Sequence, residues 1–260
     1  MTTMPAVFFG HGSPTNAFED NAATRTWREF GASIPRPRAI LSISAHWFIN
    51  ATAVTAMPQP RTVHDFFGFP QEMFDFDYPA PGDPALAAQV VDDLAPTWVG
   101  LDVDSWGLDH GTWSVLNHVF PAADIPVVQL SVHAAQPMEY HIELGRAIAP
   151  LRDDGVLIMG SGNVVHHLGM LDFGQPESGF DWAERFDTEA RRLMTTAPGD
   201  LGQLGTHPDV ENAVPTPDHF LPLAYIAGLA DAAGVTADLL YQAYAYGSLS
   251  MTSFVVPGVG

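Results

Sequence analysis

The chain has 260 residues, 47% of them hydrophobic and 11% aromatic, which suffices to bury the core of one large α/β domain spanning residues 1–260. It contains no cysteine and no lysine, so disulfides, thiolate chemistry, cysteine-bound metals and lysine Schiff bases are excluded. The formal net charge of −20 disfavours nucleic acid and anionic membranes as partners, and we interpret this acidity as a solvated surface.

Apolar runs, capping residues and turn residues predict alternating strands and helices along the chain. The predicted strands are, in order, 6–10, 39–45, 51–57, 98–103, 125–132, 156–161, 239–245 and 248–256. The predicted helices are 21–33, 84–94, one that carries Leu116 and His118, 137–151, 181–196 and 217–233. This alternation favours a central mixed, largely parallel sheet covered by helices on both faces, with the last two strands paired at its edge.

The sequence gives no sign of a second domain or of a membrane segment. No linker rich in proline, glycine or serine divides the chain, and no repeat occurs at a fixed period. No apolar run approaches the roughly 18 residues of a membrane span, and the first residues carry no basic and apolar leader. We therefore expect a single domain in the cytoplasm.

Several predicted strands end at a histidine. The strand-end histidines are His11, His46, His133 and His166, and His219 lies near the predicted start of the last helix. Ligands of open α/β sheets bind outside the carboxyl ends of the strands, so these imidazoles are expected to converge. Neutral imidazoles without thiolates suit zinc, Fe(II), copper or nickel, so the pattern predicts a metal site and leaves its ion open.

Five further histidines divide into two groups. Those interpreted as structural are His118, His141 and His207. His64 and His110 lie in loops beside Asp65 and Asp109, respectively. A carboxylate can orient an imidazole for proton transfer, although neighbours in sequence usually point apart.

Two further features bear on the kind of site. The segment 64–78 is rich in aromatic residues, and it either covers one end of the core or forms an apolar wall against an aromatic ligand, interpretations that are compatible. Ser13 and Ser161 lie close to histidines, but neither stands in the Gly-x-Ser-x-Gly elbow of serine hydrolases. Serine hydrolysis is therefore disfavoured.

Seven short motifs, spread from about Met4 to Phe254, carry a resemblance to a known family. In order, they are Gly10-His11-Gly-Ser-Pro14, Ser44-Ala-His46-Trp47, His64-Asp-Phe-x-Gly-Phe-Pro70, Asp109-His110-Gly111, Ser161-Gly-Asn-Val-Val-His166, Thr216-Pro-Asp-His219 and Gly247-Ser-Leu-Ser-Met251. Together they are similar to the class III extradiol ring-cleavage dioxygenases (LigB-like). Within that class, they most resemble the 4,5-DOPA dioxygenase extradiol branch.

The resemblance implies a mononuclear non-haem metal site, with Fe(II) for the dioxygenase reaction. By match to the family motifs, His11, His46 and His219 would be metal ligands. His166 matches a position that is either a further ligand or an active-site acid/base, and His110 matches a catalytic histidine near the substrate. His133 has no counterpart in the motifs and is therefore set aside.

The resemblance also implies the reaction, in which O₂ opens the ring of a DOPA-like catechol. His166 or His110 would remove a hydroxyl proton from the catechol. Trp47, His64 and Phe67 would contact the substrate, with the aromatic loop 66–78 stacking on its ring. The oligomeric state stays open.

One departure from the wider class leaves alternatives. Other members hold Fe(II) with two histidines and a glutamate, whereas the third position here is His219. A site of neutral ligands also accepts Zn(II), which is not redox active. The alternatives are therefore a zinc-dependent hydrolase or a non-catalytic metal-binding protein on the same fold.

Overall fold

The structure is a computed structural model that describes residues 3–258. Its strands are β1 Ala6–Gly10, β2 Ala39–Ile49, β3 Ala53–Thr55, β4 Gly100–Asp102, β5 Val127–His133, β6 Val156–Gly162, β7 Asp238–Tyr241, β8 Tyr244–Ala245, β9 Leu249–Ser250 and β10 Ser253–Val256. Its α-helices are α1 Ala22–Ser33, α2 Gln71–Phe74, α3 Pro84–Asp93, α4 His110–Val119, α5 Met138–Ala147, α6 Asp181–Thr196, α7 Val210–Ala213 and α8 Leu221–Ala232.

Eight strands form one sheet in the order β4-β3-β5-β2-β6-β1-β10-β7. Its centre is parallel, because β2 pairs in parallel with β5 and β6, and β6 pairs in parallel with β1. Strands β10 and β7 form an antiparallel pair at one edge. The predicted mixed, largely parallel sheet with a C-terminal strand pair is confirmed.

Side chains alternate along the central strands, so each face of the sheet has its own core. Phe8 of β1 packs in the layer that contains residues of α3, α5, α6 and α8. Phe9 packs on the opposite face, where its ring meets Trp27 and Phe30 of α1. Helices therefore cover both faces, as the alternating pattern predicts.

Helix α8 is apolar on nearly all sides and is buried from Leu221 to Ala230. It packs closely on α5, because a Cβ atom at Gly228 would lie only 2.1 Å from the carbonyl oxygen of Ile142. The contact holds the amino-terminal end of α8 beside the sheet. Because His219 lies two residues before α8, this packing also places that histidine.

Several predicted boundaries differ from the structure, and three of the differences change the interpretation, two of them at candidate site residues. Strand β2 continues past residue 45 to Ile49, so His46 lies inside a strand, where the register shifts between Ile43 and Phe48. The last helix begins at Leu221 rather than at 217, so His219 lies in the preceding turn.

The third wrong boundary is at the carboxyl end of the chain. The strands predicted at 239–245 and 248–256 are each divided in two, and β8 and β9 form a separate antiparallel pair. Tyr246 and Gly247 both have positive φ, 54° and 78°, so the chain reverses tightly between β8 and β9. The edge pair of the main sheet is therefore β7 with β10.

None of the helices within residues 3–258 is both long enough and apolar enough to cross a lipid bilayer.

Candidate active site

Five of the predicted site histidines meet at the carboxyl edge of the parallel strands. The ring centroid of His11, directly after β1, lies 5.1 Å from that of His46, 5.3 Å from that of His219 and 5.8 Å from that of His110. The rings of His46 and His110 are 3.8 Å apart. His166 stacks on His219 at 3.5 Å with an interplanar angle of 6°. The predicted convergence is therefore present for His11, His46, His166 and His219, with His110 in addition, whereas His133 lies against Tyr140 instead.

Close backbone approach brings these residues together. Gly162 ends β6, and a Cβ atom there would lie 2.1 Å from the carbonyl oxygen of His219. The backbone amides of His11 and Asn163 complete the contact, since His11 donates to the Gly162 carbonyl at 3.0 Å and Asn163 donates to the His219 carbonyl at 2.8 Å. The glycine therefore allows the turn before α8 to lie against the end of β6.

The first pair of imidazoles presents nitrogen lone pairs at a spacing that suits one metal ion. Nε2 of His11 and Nε2 of His46 are 3.2 Å apart. Two nitrogens bound at about 2.1 Å to the same ion lie roughly 3.0–3.4 Å apart, for angles between octahedral and tetrahedral. The two atoms therefore fit a shared ion.

A buried serine determines which nitrogen of His11 faces the site. The Ser161 hydroxyl donates to the Gly111 carbonyl at 2.5 Å, so its oxygen is left to accept a hydrogen bond from Nδ1 of His11 at 2.9 Å. The proton of neutral His11 is thus on Nδ1, and Nε2 keeps its lone pair. Ser161 is fully buried, and its hydroxyl is occupied by these two hydrogen bonds. This agrees with the expectation that serine hydrolysis is disfavoured.

Carboxylates lie behind the other imidazoles. Oδ1 of Asp65 accepts from Nδ1 of His110 at 2.9 Å and from its backbone amide at 3.0 Å, while Oδ2 lies 3.0 Å from Nδ1 of His46. Asp218 accepts from Nδ1 of His219. Metal-binding histidines commonly have such a carboxylate on the nitrogen that does not bind the ion.

The possible metal donors fall into two groups among the described residues. Ligand atoms of His11, His46 and His110 all lie within 4.8 Å of one another, and so do those of His166, Asp218 and His219. The first group is a buried histidine set that can hold a metal ion. His219 borders this group, because its ring lies 5.0 Å from that of His46.

Burial keeps most of these imidazoles neutral. It lowers the pKa of His11 well below the usual value, and the neighbouring histidine charges lower it further. Burial likewise lowers the pKa of His219 to about 4 and is the largest cause of the lowered pKa of His110 and of His166. Neutral imidazoles are the form that binds a metal or accepts a proton.

The carboxylates remain ionised. Burial works against the charged form of Asp65, but hydrogen bonds from His110 and His46 outweigh it and hold the pKa of Asp65 far below its usual value. The pKa of Asp218 is lowered in the same way, chiefly through its bond with His219. Burial also opposes protonation of His46, yet the bond to Asp65 and nearby carboxylate charges raise its pKa. Fixed negative charge behind the imidazole donors suits a divalent cation.

Asp65 and Asp109 were considered as partners of the histidines next to them in the sequence, His64 and His110, but each has other partners. Asp65 contacts His110 and His46 rather than the adjacent His64. Asp109 is the N-cap of α4, where it accepts from the Thr112 amide at 3.2 Å and from the Ser44 hydroxyl at 2.6 Å. Burial raises the pKa of Asp109. Asp109 therefore anchors the helix that begins with His110.

The three residues predicted to contact the substrate, Trp47, His64 and Phe67, have different surroundings. Trp47 is buried and stacks on Trp106, with ring centroids 6.0 Å apart and an interplanar angle of 4°. Nε2 of His64 lies 2.9 Å from the Phe76 carbonyl, and Phe67 is 91% exposed. Their roles in substrate binding stay predictions.

Sequence reasoning missed the aromatic residue that lies against the histidines. The ring of Phe66 is 5.5 Å from that of His110 and 5.9 Å from that of His64. The aromatic composition of the loop pointed to this segment, but the position of its rings depends on packing against Trp113 of α4. His133, which the resemblance set aside, lies against Tyr140 at 5.8 Å.

Comparison with known proteins agrees with this arrangement. A family model described as the catalytic LigB subunit of aromatic ring-opening dioxygenase matches residues 5–257. The 4,5-DOPA dioxygenase extradiol of Escherichia coli (strain K12) is 46% identical over 256 residues, which cover 97% of this chain and 94% of that protein. The 4,5-DOPA dioxygenase extradiol of Beta vulgaris is 36% identical over 264 residues, which cover 95% and 96%, respectively.

The fold is also similar to that of a solved structure. An uncharacterized protein from Escherichia coli K12 is similar with a TM-score of 0.85 and 41% sequence identity, covering 98% of this chain and all of that one. The family match extends over nearly the whole chain and includes every histidine of the site. The chain therefore belongs to the family of the catalytic LigB subunit of aromatic ring-opening dioxygenases.

Proposed function

We propose that this protein is an Fe(II)-dependent extradiol dioxygenase that uses O₂ to open the ring of a DOPA-like catechol. The observation that carries the proposal is the convergence of His11, His46, His110 and His219, each with Nδ1 held by a hydroxyl or a carboxylate. Family membership supports the reaction class. The names of the Escherichia coli and Beta vulgaris relatives support DOPA as the first substrate to test.

We assign the metal to His11, His46 and His219, with His166 as either a further ligand or an acid/base. The 3.2 Å separation of the first two Nε2 atoms supports one shared ion. When bound, Fe(II) supplies the redox chemistry that joins a catechol to O₂. A site of neutral imidazoles leaves most of the ion's positive charge uncompensated, which favours an anionic ligand such as a deprotonated catechol.

His110 is the better-supported proton acceptor. Its Nδ1 and its backbone amide are both held by Asp65, so Nε2 is the nitrogen available to take the hydroxyl proton of a catechol. The negative charge of Asp65 then stabilises the resulting imidazolium. The aromatic loop, with Phe66 against His110, supports an apolar wall beside the catechol ring. Trp47, His64 and Phe67 extend this proposed wall.

Zinc is the alternative ion for the same donors. Histidine sets bind Zn(II) well, and a zinc-loaded protein would have no redox chemistry. A hydrolase or a non-catalytic metal-binding protein would then be the function. The extradiol dioxygenase function is favoured because the matched family and the relatives are named for dioxygenases.

The proposal is tested by loading metal-free protein with Fe(II) under strictly anaerobic conditions and then admitting O₂ with DOPA or other catechols. We expect oxygen uptake and the yellow colour of a ring-opened product. Neither signal is expected from zinc-loaded protein or from His46→Ala, which removes one proposed ligand. His133→Ala is the matched control, because this strand-end histidine lies against Tyr140 and should leave turnover intact.

One result would overturn the proposal. If the iron-loaded protein binds its metal tightly but takes up no oxygen with any catechol, the dioxygenase assignment fails. Turnover of an ester or amide by the zinc-loaded protein would then favour the hydrolase.

A further inference from the structure

One carboxylate lies behind two histidines that have different proposed tasks. Oδ1 of Asp65 accepts hydrogen bonds from Nδ1 and from the backbone amide of His110, and its Oδ2 lies 3.0 Å from Nδ1 of His46. By contrast, within residues 3–258 Asp218 is hydrogen-bonded to one imidazole, that of His219, and Ser161 to one, that of His11. Asp65 is thus shared between a proposed metal ligand and the proposed proton acceptor.

We propose that Asp65 is a positioning residue that holds the Nδ1 protons of His46 and His110 together, so that both Nε2 atoms face the site as lone pairs. The inference rests on the proposed function for the tasks of the two histidines. A neutral imidazole has one proton, so a carboxylate oxygen at Nδ1 leaves Nε2 free to bind a metal or to accept a proton. Loss of Asp65 would therefore affect metal binding and proton transfer at once.

Asparagine at position 65 cannot replace the carboxylate. Its single carbonyl oxygen is best placed toward His110, which offers two donors at the Oδ1 position. The amide NH₂ then faces Nδ1 of His46, so donor meets donor. His46 escapes this conflict only by moving its proton to Nε2, and that step removes the lone pair that binds the metal.

The same substitution at Asp218 is a matched control. His219 is the one imidazole that Asp218 accepts from, and the carbonyl oxygen of asparagine can take over that bond. The Thr216 hydroxyl, which also bonds to Asp218, can rotate to accept from the new amide group. Asp218→Asn should therefore preserve the protonation pattern of its histidine, whereas Asp65→Asn should not.

The experiment titrates metal-free protein with Zn(II) by calorimetry and compares wild type, Asp65→Asn and Asp218→Asn. Loss of an outer partner of a metal-binding histidine typically costs about 10- to 100-fold in affinity, and we expect Asp65→Asn to fall in this range. The loss for Asp218→Asn should be clearly smaller. Equal losses in the two variants, or an unchanged affinity in Asp65→Asn, would overturn the proposal.

A second measurement needs no variant and decides the question even where Asp65→Asn does not fold. Nitrogen-15 NMR of the zinc-loaded wild type should show protonated Nδ1 atoms for both His46 and His110. An unprotonated Nδ1 on either histidine would refute the inference. Both readouts use zinc and no catechol, so a failure of ring opening would count against the proposed function and leave this inference to be judged separately.

Discussion

At the scale of single residues, the histidines differ in how many ring nitrogens the protein occupies. His141 uses both, since Nδ1 lies 2.9 Å from the Pro137 carbonyl and Nε2 accepts from the His133 amide at 3.3 Å. His118 also uses both, with Arg28 at Nδ1 and the Asn16 carbonyl at Nε2. By contrast, His11, His46, His110 and His219 have Nδ1 held by a hydroxyl or a carboxylate, and the Nε2 atoms of His11 and His46 face each other at 3.2 Å. This difference separates structural histidines from candidate ligands better than their positions in the sequence do.

The structural role of His141 predicts a pH dependence of stability. Burial lowers its pKa from 6.5 to about 4, because the protonated ring would carry a charge in a site that water does not reach. The unfolded chain therefore binds a proton more readily between these values, and stability falls as the pH falls from about 6.5 to about 4. The contribution amounts to about 3 kcal/mol in total, at about 1.4 kcal/mol per pH unit.

Urea unfolding as a function of pH measures this effect. His141→Gln provides a donor and an acceptor but does not titrate. The slope of its unfolding free energy against pH should therefore be shallower than in wild type by up to about 1.4 kcal/mol per pH unit, the value for one proton. Both proteins are compared in the same metal-free state, so that the site histidines contribute equally. Parallel slopes would show that His141 does not cause the acid sensitivity.

At the scale of elements, the contact between α5 and α8 positions the turn that carries His219. Gly228 lies where a Cβ atom would be 2.1 Å from the Ile142 carbonyl oxygen and 3.0 Å from the Arg146 amide nitrogen. Both neighbours are backbone atoms of α5, so they cannot move aside without shifting the helix. Small residues are therefore required for the observed distance between the helices.

Gly228→Ala is expected to destabilise the protein by about 1–3 kcal/mol, the usual cost of overpacking a well-packed core. Alanine favours a helix more than glycine does, so a loss of stability would identify the clash as the dominant effect. Chemical denaturation measures the change. Gly205→Ala is the control, because no heavy atom lies within 4 Å of the added Cβ there, and its effect should stay within about 0.5 kcal/mol. A stability of Gly228→Ala at or above that of wild type would contradict the packing argument.

At the scale of the whole molecule, acidic residues outnumber basic residues by 30 to 10. Several arginines are paired with carboxylates at the surface, as in Arg36 with Asp124 and Arg192 with Glu189. Ion pairing does not change the formal net charge of −20, so an excess of carboxylates remains, and these groups repel one another in the folded state. Surface ion pairs contribute little individually, so repulsion should dominate the response to salt.

The expected outcome is a rise in the unfolding temperature as sodium chloride increases at about pH 8. Raising the ionic strength from about 0.01 M to about 1 M shortens the screening length from about 30 Å to about 3 Å, which weakens the repulsion. Differential scanning fluorimetry checks this directly. The rise should be smaller near pH ~5, where part of the carboxylates binds protons. A fall in unfolding temperature with salt would mean that ion pairs outweigh repulsion.

The order of strands and helices, the absence of thiolates and the supply of histidines were readable from the sequence, because apolar periodicity and residue chemistry are local properties. The helix over 181–196 is confirmed at both ends. The seven motifs also pointed to the family that the comparisons confirm. What these features had in common is that each can be recognised within a short stretch of chain.

The partners of the histidines were decided only by the tertiary structure. Asp65 and His110 are 45 residues apart, and His11 and Ser161 are 150 apart. Such contacts depend on the register of parallel strands and on glycines that let turns approach, and no local pattern encodes either. His46 lies inside β2 for the same reason, since its strand is extended by pairing with β5. The sequence alone therefore determined which side chains could form the site, and the fold determined which nitrogen each of them presents.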